Sequence, residues 1–318
     1  MIDKINFNLK DMELNEVEHL LSTFEFDITI GNHKKLRINS KQNFDGLFLK
    51  INELTNVTYL ELSLHKYFNY TKARVLNNST QYSYSNTLET VKMLETKLGK
   101  SISDANVTYY EIGLNLLVSQ PPKQYIDDMK TILTGDSIKK LYINPIVRNE
   151  HEKITEFDKN KTKVYKVYDK IQEMTCKRRK DIPPNVNILR IESKYKYVRG
   201  LKLGDLLHPT QFYSIVNKFF LDWDSVEFNR YLSCPKGTNG NQIALIHEIL
   251  ESGNTQEIIK KYRDKLSDGL ISAQNFRTIR EFCSNKWDVL KPQVSFKPLQ
   301  TEIEFRKLLK QGITKMSK

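Results

Sequence analysis

The stretch KVYKVYDKIQEM, residues 163–174, reads as a strand with an apolar side and a reactive side. Side chains alternate across a strand, so residues two apart share a face. Tyr165 and Val167 fall on one face, and Lys166, Tyr168 and Lys170 on the other. A tyrosine between two lysines poses a choice. It is a surface phenol on a basic strand, or a phenol held ready to attack a phosphate.

Three other stretches are built the same way. In LELSLHK (60–66), Leu60, Leu62 and Leu64 oppose Glu61, Ser63 and His65. In YYEIGLN (109–115), Tyr110, Ile112 and Leu114 oppose Glu111, Gly113 and Asn115. In ILRIESK (188–194), Leu189 and Ile191 oppose Arg190, Glu192 and Lys194. Four such strands predict an α+β fold: an antiparallel sheet with helices packed on one face. Polar groups always occupy the wet face of a half-buried sheet, and cross-strand charge pairs add only about 0.2–1 kcal/mol. The residue type carries more weight. Glutamate is a poor strand former, yet Glu61, Glu111 and Glu192 sit mid-strand among aliphatics. Placement against propensity points to a rigidly held site.

The flanking sequence sets the organisation. FEFDITIGNHKKLRI (24–38) reads as a hairpin about Gly31-Asn32, and GLFLKI (46–51) and NVTYLELSLHKYF (56–68) as strands. SNTLETVKMLETKLGK (85–100) has helical spacing at Leu88, Val91, Leu94 and Leu98, with Ser85 or Asn86 as N-cap and Gly99 at its end. KQYIDDMKTIL (123–133) reads as a helix and SIKKLYINPIV (137–147) as a strand. Beyond Gly200 the spacing is helical almost throughout. This places a sheet-based catalytic and nucleic-acid-binding domain at 1–200 and a mainly helical C-terminal region at 201–318. Within the latter, residues 254–282 suggest a helix-turn-helix about Ser267-Gly269.

Composition narrows the partners. Fifty lysines and arginines stand against 38 acids, a formal charge of +12 over 318 residues. Such a surplus favours a polyanion, nucleic acid above all. No apolar run approaches the roughly 18–20 residues of a membrane span, and the N-terminus lacks the hydrophobic run of a secretory signal. Cys176, Cys234 and Cys283 are odd in number and widely spaced, which fits a reducing cytoplasm better than a disulfide set or a metal knuckle. No GxxxxGK[ST] loop is present, so no built-in ATP motor is expected.

The polar faces, if they converge, carry a coherent chemistry. Glu61, Glu111 and Glu192, with His65, can hold a divalent metal, Mg²⁺ or Mn²⁺. The metal would polarise a phosphodiester and Tyr168 would attack its phosphorus. A free phenol has a pKa near about 10. Lys166 and Lys170 are therefore expected to favour the phenolate, and with Arg190 to offset charge on the phosphoryl oxygens. Lys177, Arg178, Arg179 and Lys180 would clamp DNA phosphates. Lys194, Lys196 and Arg199, interleaved with Tyr195 and Tyr197, suit unpaired bases.

KVYKVYDKIQEM followed by ILRIESK resembles the hydrophobe-Tyr-x-Lys … Arg-x-Glu signature of rolling-circle replication initiators. These are the proteins of small plasmids and filamentous phages that lack a His-hydrophobe-His motif. The resemblance covers roughly residues 55–200. It implies Tyr168, before Lys170, as the nucleophile, and Glu61, Glu111 and Glu192 as the acidic strand positions. It further implies origin DNA, single-stranded or as a hairpin, as substrate, with a host helicase and polymerase acting afterwards and a homodimer left open. The chain departs by carrying glutamate where such families often show aspartate at the first acid, and by a second tyrosine, Tyr165. Three rival readings remain: a non-catalytic DNA- or RNA-binding regulator, a mobilisation nickase using the same chemistry, and a structural protein with a decorated sheet, in which the three glutamates would not cluster.

Overall fold

Strict alternation in IDKINFNLK makes the first strand, β1 (Ile2–Lys10): Ile5, Phe7 and Leu9 are buried while Lys4, Asn6 and Asn8 face the other way. A computed structural model of the chain describes residues 2–10, 12–24, 26–30, 36–40, 47–52, 57–134, 137–143, 149–155, 162–178 and 182–316. After β1 come α1 (Leu14–Thr23), β2 (Phe26–Ile30), β3 (Leu36–Ser40), β4 (Leu47–Asn52), β5 (Val57–Ser63), α2 (Leu64–Ala73), α3 (Tyr84–Leu98) and β6 (Asn106–Leu117). Then follow α4 (Pro122–Asp128), β7 (Met129–Thr134), β8 (Ser137–Lys140), β9 (Tyr142–Ile143), β10 (Glu152–Ile154), β11 (Lys163–Asp169), α5 (Lys170–Cys176), β12 (Ile188–Lys196), α6 (Leu203–Leu207), α7 (Pro209–Asp224) and β13 (Glu227–Phe228).

Ten of these strands form one sheet in the order β2-β3-β4-β5-β1-β6-β12-β11-β10-β9. Its neighbours are antiparallel throughout. The fold is α+β, as the alternation predicts. On the apolar face, Phe7, Leu60, Leu62, Ile112, Leu189, Ile191 and Val167 join one core with Leu94 and Leu98 of α3 and Phe212, Phe219 and Trp223 of α7. Trp223 fixes α7 to the sheet, since its indole N–H donates to Ser193 Oγ on β12 at 3.2 Å. The sequence hairpin is present as the β2–β3 pair, its turn at Gly31-Asn32 lying outside the described residues.

Several boundaries move for local reasons. The strand at 56–68 stops at Ser63, whose side chain accepts from Lys66 N and caps α2. The strand at 163–174 stops at Asp169, which accepts from Gln172 N and caps α5. A short polar side chain that satisfies an exposed helix N–H stabilises the switch from strand to helix. Helix α3 is capped two residues before Ser85, the earlier of the caps read from sequence, with Ser83 as N-cap and Asn86 closing a capping box, and it ends at Gly99 with φ 70°. The 123–133 segment is helical only to Asp128.

The chain divides into two compact units, Met1–Phe228 with Thr301–Lys318, and Asn229–Gln300. The sequence reading drew its line near Gly200, but Phe212, Phe219 and Trp223 belong to the core of the sheet. The first unit takes back the last helix, α12 (Gln300–Met316), through Phe305 and Leu309. The second unit is mainly helical. It holds β14 (Arg230–Ser233), α8 (Gly240–Ser252), α9 (Thr255–Ser267), α10 (Ala273–Glu281), α11 (Trp287–Leu290) and β15 (Ser295–Pro298). Leu245, Ile246, Ile249, Ile258, Phe282 and Trp287 form its own core. Among the described residues no helix is long and apolar enough to cross a membrane.

Trp223 is fully buried and joins helix to sheet. Trp223→Ala is expected to cost about 3–5 kcal/mol by cavity formation, measured as a lowered denaturation midpoint in urea.

Candidate functional site

Register decides which polar side chains meet. On β11 and β12, Tyr168 lies opposite Arg190 and Lys166 opposite Glu192. On β12 and β6, Arg190 lies opposite Asn115, Glu192 opposite Gly113 and Lys194 opposite Glu111. Asn6 on β1 pairs with Glu61 on β5 and with Tyr109 on β6. Glu61, Glu111, Lys166, Tyr168, Arg190, Glu192 and Lys194 therefore share one face of the sheet. This convergence was the premise of the sequence reading.

At its centre is Arg190, which is only 1% exposed. A guanidinium is charged in any folded protein and must be matched when buried. Its Nε donates to Glu192 Oε1 at 2.7 Å, its Nη1 to Asn115 Oδ1 at 2.9 Å, and its Nη2 pairs with Asp3. The side chain reaches Asp3 by crossing β6 over Gly113. A Cβ built on Gly113 would lie 2.3 Å from Arg190 Nη2 and 2.9 Å from Cζ. Glycine inside a strand often marks such a close approach.

Asp3 enters through an irregularity in β1. The pairing with β6 shifts register between Ile2 and Lys4, so Asp3 lies within the bulge. Its carboxylate accepts from Ser63 Oγ and Asn78 Nδ2, both at 2.7 Å. Asp3, Glu111 and Glu192 are all buried, and each offers an oxygen within 4.8 Å of the others. Lys194 Nζ lies 3.1 Å from Glu111 and 3.4 Å from Glu192. Burial pushes the Asp3 and Glu192 carboxyls up. The surrounding cations, Arg190 for Asp3 and Lys194 with Arg190 for Glu192, outweigh it and hold both below the usual carboxylate range.

Tyr168 is 6% exposed, and its hydroxyl donates to Glu192 Oε1 at 2.7 Å. Its phenol pKa is driven well up, by burial first and by the Glu192 charge second. The sequence reading expected the neighbouring lysines to favour phenolate, and here the balance runs the other way. Lys166 and Lys170 lie 4.6 and 5.9 Å from the ring centroid of Tyr168. Their charges are taken up by Glu152 at 2.9 Å and Glu173 at 2.7 Å. Lys170 is not on the strand face at all, since it opens α5. Burial and the nearby Arg190 bring its ammonium down to about 8. Tyr168, Glu192, Lys166, Lys170 and Glu173 line a cleft of about 250 Å³ together with Lys4, Lys66, Lys177 and Asn78.

The remaining sequence candidates fall elsewhere. Glu61 pairs with Lys4 and accepts from the Tyr59 hydroxyl at 3.4 Å, outside the three-carboxylate group. His65 sits in the first turn of α2, bonded to Thr80 Oγ1 at 2.8 Å and stacked on Tyr82. Burial, opposed by Asp3, takes its imidazole down to about 3, so the ring is neutral. Lys177 pairs with Glu173, and Arg178 lies in the turn beyond it. Arg179 and Lys180 lie outside the described residues. Lys196 and Arg199 border a shallow groove with Tyr109, whose hydroxyl donates to Glu111. Tyr165, the competing tyrosine, is fully buried on the apolar face beside Trp223.

Asp3 and Asn78 were not among the sequence candidates. The alternation of IDKINFNLK marks a strand, but its bulge hides where Asp3 points. Asn78 lies in a segment with neither helical nor strand periodicity. Gly113 carried a readable signal, a glycine between Ile112 and Leu114 in the interior of a strand. No protein-family model matches the chain and no curated protein matches its sequence, so the site is read from its own geometry.

Gly113→Ala is expected to push Arg190 off its partners and cost about 1–3 kcal/mol, seen by chemical denaturation. Acid should also weaken the fold. Burial favours protonation of Glu173, but Lys170 and Lys177 bring its pKa from 4.5 down to about 2. Its contribution is therefore complete above about 4.5 and lost as pH falls towards 2. Glu173→Gln should flatten the stability curve across that window in urea titrations.

Proposed function

We propose that this protein initiates DNA replication of a mobile element by nicking one strand through Tyr168, as rolling-circle initiators do. One observation carries the reading. A tyrosine hydroxyl sits 2.7 Å from the Glu192 carboxylate, in a cleft also lined by Asp3, Glu111, Glu173 and several lysines, with the buried Arg190 paired to Asp3 and Glu192. Cations lining a concave site suit a phosphodiester. The groove at Lys196 and Arg199, sharing Tyr109 with the site through Glu111, offers a path for the flanking single strand.

In this proposal the Tyr168 oxygen bonds to phosphorus as the bond from phosphorus to the 3′-oxygen breaks. The phenol proton passes to Glu192, its hydrogen-bond acceptor. Lys170, with an ammonium brought down to about 8, supplies the proton to the leaving oxygen. The products are a 5′-phosphotyrosine and a free 3′-hydroxyl for a host polymerase. The ester link keeps the bond energy for rejoining, which hydrolysis would lose.

Asp3, Glu111 and Glu192 fit a hard divalent cation, because all three offer oxygen donors within reach of one another. This set replaces the Glu61, Glu111, Glu192 and His65 set expected from sequence. Bound there, Mg²⁺ or Mn²⁺ would supply charge to a phosphoryl oxygen.

A non-catalytic nucleic-acid binder is the second reading. The observation in its favour is the phenol itself, buried and kept protonated. Covalent capture separates the two. Labelled single strands from the protein's own locus, incubated with Mn²⁺ and then denatured, should yield a protein–DNA adduct. The adduct should be absent in chelator and reduced by about 10⁴ or more in Tyr168→Phe, as expected when a nucleophile is removed. Binding without any adduct would favour the second reading.

A further inference from the structure

The carboxylate group already contains a cation of the protein's own. Lys194 Nζ lies between Glu111 at 3.1 Å and Glu192 at 3.4 Å. Four other lysines of the cleft are matched elsewhere: Lys4 with Glu61, Lys166 with Glu152, and Lys170 and Lys177 with Glu173. Among the described residues of the cleft wall, one buried polar atom is left over. Asn78 is 4% exposed and donates its Nδ2 to Asp3, while its Oδ1 has no hydrogen-bond partner. Asn78 belongs to the wall of the same cleft. A carbonyl oxygen left bare in a buried site is costly, and a hard cation is a natural partner for it.

We propose that Lys194 is a built-in stand-in for the divalent ion, and that Mg²⁺ or Mn²⁺ enters by displacing its ammonium, taking Asn78 Oδ1 as a further ligand. The inference rests on reading Asp3, Glu111 and Glu192 as a divalent-ion site. Charge counting favours exchange over addition. Three carboxylates with Arg190 and Lys194 leave one negative charge. Adding a divalent ion to these would leave a buried net positive charge, whereas replacing Lys194 by the ion leaves none. Burial penalises any unmatched charge. Lys194 is suited to leave, since its side chain is 24% exposed while that of Arg190 is only 2% exposed. Once displaced, its ammonium stays beside the cleft, available to a phosphate. The protein would thus hold its acids folded and largely balanced without metal, and gain a mobile cation when metal arrives.

The test is Mn²⁺ binding, followed by electron paramagnetic resonance on the full chain without DNA. Lys194→Met should bind Mn²⁺ on the order of tenfold or more tightly than wild type, because a charge repelling the ion is gone. Lys194→Arg should show no such gain, and Asn78→Ala should bind more weakly. A second readout uses the wild-type protein. Amine-modifying reagent, read by mass spectrometry, should label Lys194 faster when Mn²⁺ is present. Equal or weaker binding by Lys194→Met, or unchanged labelling of Lys194, would overturn the exchange. These results are independent of the nicking proposal. Mn²⁺ exchange without any covalent adduct would sink the nickase reading alone, and a metal-dependent adduct with no tighter Mn²⁺ binding in Lys194→Met and no change in Lys194 labelling would sink this one alone.

Discussion

A buried guanidinium must be surrounded, and around Arg190 that requirement organises the sheet. The side chain rises from β12, crosses Gly113 of β6 and ends on Asp3 of β1, with Glu192 and Asn115 closing its remaining sides. Three adjacent strands are thereby tied by one charge. Burying an ion pair is seldom a net source of stability, but removing one partner leaves an uncompensated charge at a cost of about 3–5 kcal/mol. The network thus specifies register. A one-residue slip would carry Arg190 and Glu192 to the apolar face and Leu189 and Ile191 to the polar one.

The same arrangement explains why Tyr168 stays protonated. Its hydroxyl shares Glu192 Oε1 with Arg190 Nε, each at 2.7 Å. The arginine stabilises the carboxylate, and the carboxylate holds the phenol proton. Lys166 and Lys170 lie by the ring, with their charges directed to other acids. A bound phosphate would meet a site whose charges are paired but not locked, since several of the lysines reach solvent. Rigidity is concentrated in the buried arginine and mobility in the surface ammonium groups, a division suited to electrostatic stabilisation of a phosphoryl group.

Much of this was legible in the sequence because alternation is a strong signal. The faces of LELSLHK, YYEIGLN, ILRIESK and KVYKVYD follow from period two alone, and the register then brings Glu111, Glu192, Tyr168 and Arg190 together. What alternation could not show lies where strands end or break. Ser63 and Asp169 cap helices, which moves His65 and Lys170 off the strand faces. A bulge admits Asp3 into the site in place of Glu61. The burial that raises the Tyr168 pKa is a property of the packed sheet and leaves no mark in the local sequence. The helical segments of the second unit were legible too, because their apolar positions recur at helical spacing.

The central claim is that the site transfers a strand and does not hydrolyse it. A joining assay tests this most directly. Two single strands of different length that carry the same nick site are incubated with the protein and divalent metal, and the products are sized. The account predicts joined strands of hybrid length, formed by wild type and absent with Tyr168→Phe. Cleavage that releases a free 5′-phosphate with no hybrid product, or hybrids that persist in Tyr168→Phe, would contradict it.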